Sequence, residues 1–151
     1  MLYPAQTIDG LVSLAGGRQE LQKLLANIDG AIKCPTGSAV FTKAPVHTAT
    51  PFYLAHDWES KLVSYYNQSL YVTTASGPFS MIAVSLLGSG CKGIPVADAV
   101  RLACIACRAW DADATPSIPS LHVIFGIQDP SIETQFQAEF ARNQRNKPAV
   151  Q

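Results

Sequence analysis

A nearly unbroken apolar run, Met81-Ile82-Ala83-Val84-Ser85-Leu86-Leu87, stops at Gly88-Ser89-Gly90-Cys91-Lys92-Gly93, and Ile94 and Pro95 follow. The run is far shorter than the roughly 20 residues that cross a bilayer. It is also too continuous for a strand with one face in water, so it predicts a strand over Phe79–Leu87 inside a sheet covered on both faces. Proline is tolerated at the first position of a helix. A helix from Pro95 to about Trp110 would then bury Val100, Ala103, Cys104 and Cys107 at helical spacing.

The rest of the chain alternates in the same way. Leu21, Leu24, Leu25 and Ile28 make the stripe of a short helix over Arg18–Ile28. Ser38–Thr42 and Pro51–Ala55 read as short strands, being β-branched or aromatic and bounded by Gly, Pro and Thr. Trp58 to about Thr74 reads as a helix, with Tyr71-Val72-Thr73-Thr74 as its weakest turn. Asp57 and Glu59 sit where carboxylates suit the positive end of the dipole. Leu121–Ile127 is a second apolar strand, and Ile132, Phe136 and Phe140 mark a last helix. This order predicts an α/β protein, a three-layer α/β/α sandwich with a mixed, mainly parallel central sheet. One domain over 1–141 is expected, with a polar tail over 142–151. Ligands of such sheets bind outside the carboxyl ends of the strands, where the turn after Leu87 stands.

Composition narrows the function. Eleven basic and eleven acidic side chains give a formal net charge of zero. That argues against gripping a nucleic-acid backbone by bulk charge, and Lys33, Lys43 and Lys61 form no basic stripe. Four cysteines, at 34, 91, 104 and 107, suggest no disulfide framework. The first residues lack the basic and apolar regions of a secretory signal, so an intracellular location, cytoplasmic or nuclear, is expected, with no membrane partner.

The chemistry lies in the glycine turn. Gly88, Gly90 and Gly93 between a strand and a helix let the backbone approach a ligand, and consecutive amides in such a turn make an anion-binding concavity. The helix N-terminus adds its dipole. A phosphate could be held there without lysines. The plain alternative is a tight turn and nothing more. The segment is not a Walker loop, since no Gly-Lys-Ser/Thr follows, and it is not a nucleophile elbow, which needs glycines where Leu87 and Cys91 stand.

The order Ala83 to Pro95 resembles the macro domain family, α/β/α modules that bind ADP-ribose. In that family a buried strand runs into a small-Gly-aromatic-Gly turn, a proline and an alanine-rich helix. Cys34-Pro35-Thr36-Gly37-Ser38-Ala39-Val40-Phe41-Thr42 is similar to the family's Cys-x-Thr-Gly-x-Ala-x-x-Thr segment. Leu121 to Asp129 looks like its last strand and acidic exit, and Leu14-Ala15-Gly16-Gly17 stands where its other glycine loop would be. The resemblance spans roughly residues 7 to 141. It implies that Leu87, Gly88, Ser89, Gly90, Cys91, Lys92, Gly93 and Ile94 wrap the diphosphate and distal ribose of ADP-ribose. Gly16 and Gly17 would approach from the other side. The implied partner is ADP-ribose or an ADP-ribosylated protein, with no cofactor and no metal. Viral replicase proteins often contain small modules of this kind.

Several positions depart from the family pattern. Thr7-Ile8-Asp9-Gly10 stands where many members carry Asn-Ala-Ala-Asn, whose asparagine contacts the distal ribose and supports hydrolysis. Lys92 takes the place of the turn's aromatic, and Gln128 that of an aromatic that stacks on adenine. The adenine-binding aspartate of an earlier strand has no counterpart in this sequence.

Cys104-Ile105-Ala106-Cys107 lies deep in a helix on its apolar face, where core packing outranks redox or zinc chemistry. Cys91 reads as a small loop residue. His56 with Asp57 is an acid–base pair or a surface and capping pair, and His122 a structural histidine at a strand start. Lys92 faces either phosphate or solvent. Three functions follow: a reader of ADP-ribose, a degenerate module that binds a protein or nucleic acid, and, ranked last, an ADP-ribosyl hydrolase with Asp9 or His56 as its nearest catalytic candidates.

Overall fold

The computed structural model describes residues 11, 14–15, 18–32, 34–42, 46–113 and 120–144. Helix α1 spans Arg18–Ala26, strands β1 and β2 span Ala39–Phe41 and Val46–Thr48, and helix α2 spans Trp58–Ala75. Strand β3 (Met81–Val84), helix α3 (Val96–Ala112), strand β4 (His122–Phe125) and helix α4 (Pro130–Gln144) complete the order. The fold is α/β.

β3 and β4 pair in parallel, with Met81 opposite His122, Ala83 opposite Ile124 and Val84 opposite Phe125. β1 and β2 form a separate antiparallel pair, Ala39 opposite Thr48 and Phe41 opposite Val46. The first and last rungs beside β3 are His122 N–H to Ser80 O, 2.8 Å, and Gly126 N–H to Val84 O, 2.9 Å. Beyond Val84 the chain leaves its partner, so the strand is shorter than the apolar run that announced it. It is also open on one side: Met81 is 56% and Ile124 46% exposed. Burial on both strands alternates, and the expectation of cover on both faces of Phe79–Leu87 fails for these residues.

The buried face packs on helices. α2 places Leu62, Tyr65, Tyr66, Ser69, Leu70 and Thr73 on one stripe at helical spacing. In its final turn Thr73 Oγ1 donates to Ser69 O, 2.7 Å, and Thr74 Oγ1 to Tyr71 O, 2.9 Å. The β-branched residues that weaken this turn in sequence are thus bound back to it. α3 buries Ala99, Val100, Leu102, Ala103, Cys104 and Ala106. Pro95 stands at its N-cap, directly before Val96. Arg101 ties the starts of α2 and α3 together, at 2.6 Å from Glu59 and 3.2 Å from Asp98. On α4, Phe136 completes the core, its ring 4.7 Å from that of Phe125. α4 begins at Pro130 and continues to Gln144, longer at both ends than its apolar positions indicate.

The segment 51–55 is not a strand. Leu54 has a φ of 61°, Ala55 N–H closes a turn on Phe52 O at 3.1 Å, and the side chains of Phe52 and Leu54 are exposed. Pro51 is buried, while Phe52 and Leu54 edge the surface. The strand lies earlier, at Val46–Thr48, where only Val-His-Thr mark it.

Candidate anion-binding site

The glycine turn is a closed loop fixed from below. Leu87 N–H donates to the Tyr66 hydroxyl oxygen at 3.0 Å, and Ser89 Oγ donates to Leu86 O at 3.2 Å. Gly93 N–H returns to Gly90 O at 2.9 Å, and Ile94 N–H returns to Gly88 O at 3.1 Å. Ile94 is 1% exposed and joins the core cluster with Tyr66 and Val100. The loop is therefore riveted by one side chain directly before α3.

Two of its glycines are structurally required. Gly88 has a φ of +83°, and a Cβ there would lie 2.5 Å from Ile94 Cδ1. Gly93 has a φ of +73°. Gly90 differs: nothing lies within 4 Å of the position its Cβ would take. Its bare face looks into open space, where a ligand could approach.

The internal bonds use the amides of Leu87, Gly93 and Ile94. Among the described residues, no hydrogen bond occupies the amides of Gly88, Ser89, Gly90 or Cys91. A run of free N–H groups in a turn whose first residue has a positive φ is the arrangement that cradles an oxyanion. It lies at the N-terminal end of α3, whose dipole adds to it.

Lys92 sits half-buried with its ammonium 3.9 Å from the centroid of the Phe52 ring, and its carbonyl accepts from Tyr53 N–H at 2.9 Å. The loop is thereby joined to the segment misread as a strand. Tyr53 packs in turn on Trp58, centroids 5.2 Å apart. These supports, with Tyr66 beneath, are what the sequence reading missed. Tyr65 and Tyr66 stand at helical spacing with Leu62 and Ser69, and nothing local in the sequence marks a contact with residue 87.

Other candidates fall away from the loop. His56 Nδ1 and Asp57 Oδ2 are 2.6 Å apart on the surface, and Asp57, at the N-cap of α2 with a φ of 57°, makes no side-chain cap bond. Cys104 is fully buried and Cys107 half-buried; burial pushes both thiols up to about 11. Cys91 is exposed. His122 is exposed at the start of β4. Asp129 N-caps α4, and the Ser131 N–H, 2.8 Å from its carboxylate, holds its pKa below the usual range. Gly16 and Gly17, and the segment Thr7–Gly10 with Asp9, lie outside the described residues. Among the described residues no group of three or more His, Cys, Asp or Glu converges as for a metal, and no helix is long and apolar enough to cross a membrane.

No family model matches the sequence, and no curated protein matches it. Solved structures do. The macrodomain of Oceanobacillus iheyensis with ADP superposes with a TM-score of 0.80 at 17% identity, covering 97% of this chain and 80% of that one. A glycine-to-valine mutant of the same macrodomain with ADPR gives 0.79 at 17% identity, covering 96% of this chain and 82% of that one. The same protein with MES bound gives 0.79 at 18%, covering 97% and 81%. At this identity the likeness is one of architecture, and it extends over nearly the whole chain: the protein has the macrodomain fold.

Proposed function

We propose that this protein is an ADP-ribose reader: it binds ADP-ribose, or a related nucleotide, through the backbone amides of the Gly88–Ile94 loop. One observation carries the reading, the four successive amides of Gly88 to Cys91, which no hydrogen bond occupies among the described residues, on a loop closed by Ile94. They would receive the diphosphate, while Leu87 and Ile94 set the loop's height and Gly93 its return. Gly16 and Gly17 would close over the ligand from the opposite side. The solved macrodomains with ADP and with ADPR support a nucleotide as ligand. In its finer detail we take the sheet to be mixed and mainly parallel within a three-layer sandwich, for which the parallel β3–β4 pair is the support.

The biological form of the ligand in this reading is an ADP-ribosylated protein. Binding ranks above hydrolysis because Thr7-Ile8-Asp9-Gly10 lacks the asparagine that orients the distal ribose in hydrolytic members. A second reading, a macro-like module that has lost ADP-ribose and binds another protein or nucleic acid, draws on the same departure and on Lys92 lying over Phe52.

Calorimetric titration with ADP-ribose separates them. Saturable heat is expected from the parent protein and none from Gly90→Glu, whose carboxylate would project into the open space above the amides. No heat from the parent at millimolar ligand overturns the reader and leaves the degenerate module. Release of ADP-ribose from a modified protein, followed over time, is expected to be negligible.

A further inference from the structure

Three consecutive large side chains, Phe52, Tyr53 and Leu54, stand exposed beside the glycine loop, Phe52 at 60% and Leu54 at 75%. Folded chains rarely leave such a run in water unless it meets something. Leu54 holds a φ of 61°, a left-handed conformation that a bulky residue seldom adopts. The turn is nevertheless fixed. Ala55 N–H closes on Phe52 O at 3.1 Å, Trp58 N–H closes on Ala55 O at 3.1 Å, and Trp58 packs against the core. The run is displayed on a rigid support, and backbone strain of this kind gathers where a chain contacts its ligand.

The turn and the loop share one rim. Tyr53 N–H donates to Lys92 O at 2.9 Å, and a Cβ at Gly93 would lie 4.0 Å from Tyr53 Cβ. Lys92 Nζ lies 3.9 Å from the centroid of the Phe52 ring, so the ring stands one lysine side chain from the loop's backbone. Beside the ring a cleft of about 270 Å³ opens, with Thr36, Thr50, Pro51, Phe52, Lys61 and Lys92 in its lining. The hydroxyls of Thr36 and Thr50 have no hydrogen-bond partner among the described residues. Pockets for whole ligands hold about 300–1,000 Å³, so this cleft suits one ring of a ligand and not a nucleotide. A sugar presents a C–H face to an aromatic ring and a rim of hydroxyls to threonines, which both donate and accept. ADP-ribose carries adenosine on one side of its diphosphate and a lone ribose on the other. Only the lone ribose is small enough for the cleft.

We propose that Phe52 is a specificity-determining contact for the terminal ribose of ADP-ribose, its ring packing on the sugar while Thr36 and Thr50 bond the sugar's hydroxyls. The contact rests on the reading of the Gly88–Cys91 amides as the diphosphate site. It draws on the ring and the two hydroxyls and uses the charge of neither Lys61 nor Lys92.

The test is calorimetric titration of the parent, Phe52→Leu and Thr50→Val with ADP-ribose and, separately, with ADP, which ends at its diphosphate. ADP-ribose affinity is expected to fall about tenfold in Phe52→Leu and less in Thr50→Val, while ADP titrates alike in all three proteins. Phe52→Tyr, which keeps the ring, is expected to retain the parent's affinity. A loosened loop would instead weaken both ligands together. Equal losses for ADP and ADP-ribose, or ADP-ribose affinity unchanged in both variants, overturn the contact and leave the reading of the loop standing. No binding of ADP-ribose by the parent overturns that reading and the contact with it.

Discussion

The Tyr66 hydroxyl accepts the Leu87 amide proton at 3.0 Å, so a residue in the middle of α2 fixes where the glycine loop leaves the sheet. Burial pushes the Tyr66 hydroxyl pKa well above its ordinary value, so it stays protonated throughout the working range. Tyr66→Phe removes the acceptor but keeps the ring against Phe125. A part-buried N–H left unpaired costs about 1–3 kcal/mol. Denaturant unfolding should show a loss of that size. ADP-ribose affinity, if the loop binds it, should fall as well, because the freed amide unsettles the turn.

Two glycines of the loop, one crowded and one open, should respond differently to a methyl group. Gly88→Ala meets both a φ of +83° and an Ile94 methyl at 2.5 Å. The backbone term alone is about 1–2 kcal/mol, and the displaced Ile94 adds to it. Gly90→Ala meets nothing within 4 Å and should leave thermal stability within error. Comparable losses in the two variants would mean that the loop is not held by Ile94 as described.

Which parts of this arrangement the sequence discloses follows from how local their causes are. Helix α3 is legible because its apolar stripe, its proline and the preceding turn are all neighbours in the chain. The loop is legible for the same reason: Gly88 and Gly93 need their conformations wherever the rest of the chain goes. The length and exposure of β3 are not, because they depend on how far β4 runs beside it and on what covers Met81. Phe52-Tyr53-Leu54 has strand-like residues, but Ala55 N–H closes a turn on Phe52 O and Tyr53 N–H bonds to Lys92 O across the fold. The links Tyr66–Leu87 and Lys92–Phe52 are tertiary, and no spacing rule contains them.

The cysteines should separate by reactivity. With burial raising the thiols of Cys104 and Cys107 to about 11, roughly one in ten thousand is ionised at neutral pH. Cys91 is exposed on the loop, and Cys34 is part-buried with its thiol donating to Ser38 O at 3.3 Å and its pKa raised by burial. Brief alkylation of the native protein, read by peptide mass, should label Cys91 first and leave Cys104 and Cys107 until unfolding. Early labelling of the helical pair would show that α3 is not packed as it stands.

Asp129 gives the last helix an acid-sensitive start. Its pKa is lowered chiefly by the Ser131 backbone N–H, with the Ser131 hydroxyl second. The unfolded chain therefore takes up this proton at a higher pH than the native one. The cap's contribution is present above the unfolded carboxylate value of about 3.9 and is lost as pH falls through the lower native value. Asp129→Ala should reduce the melting temperature near neutral pH, and the gap from the parent should close in acid. A gap that does not depend on pH would locate the effect in something other than the charge.

Neighbouring residues on β4 test which side of the sheet bears weight. Phe125 turns inward, its ring 4.7 Å from Phe136 and 6.1 Å from Tyr66, so it joins α4 and α2 across the strand. Ile124 turns outward and is 46% exposed beside Ala83. Phe125→Ala removes the ring that both helices share and should cost about 3 kcal/mol. Ile124→Ala removes side chain already largely in water and should cost about 0.5 kcal/mol or less. Because both substitutions sit on one strand and alter its backbone propensity in the same sense, the difference between them reports the packing of the two faces. Equal costs by denaturant unfolding would mean that the Met81–Ile124 face is covered in solution.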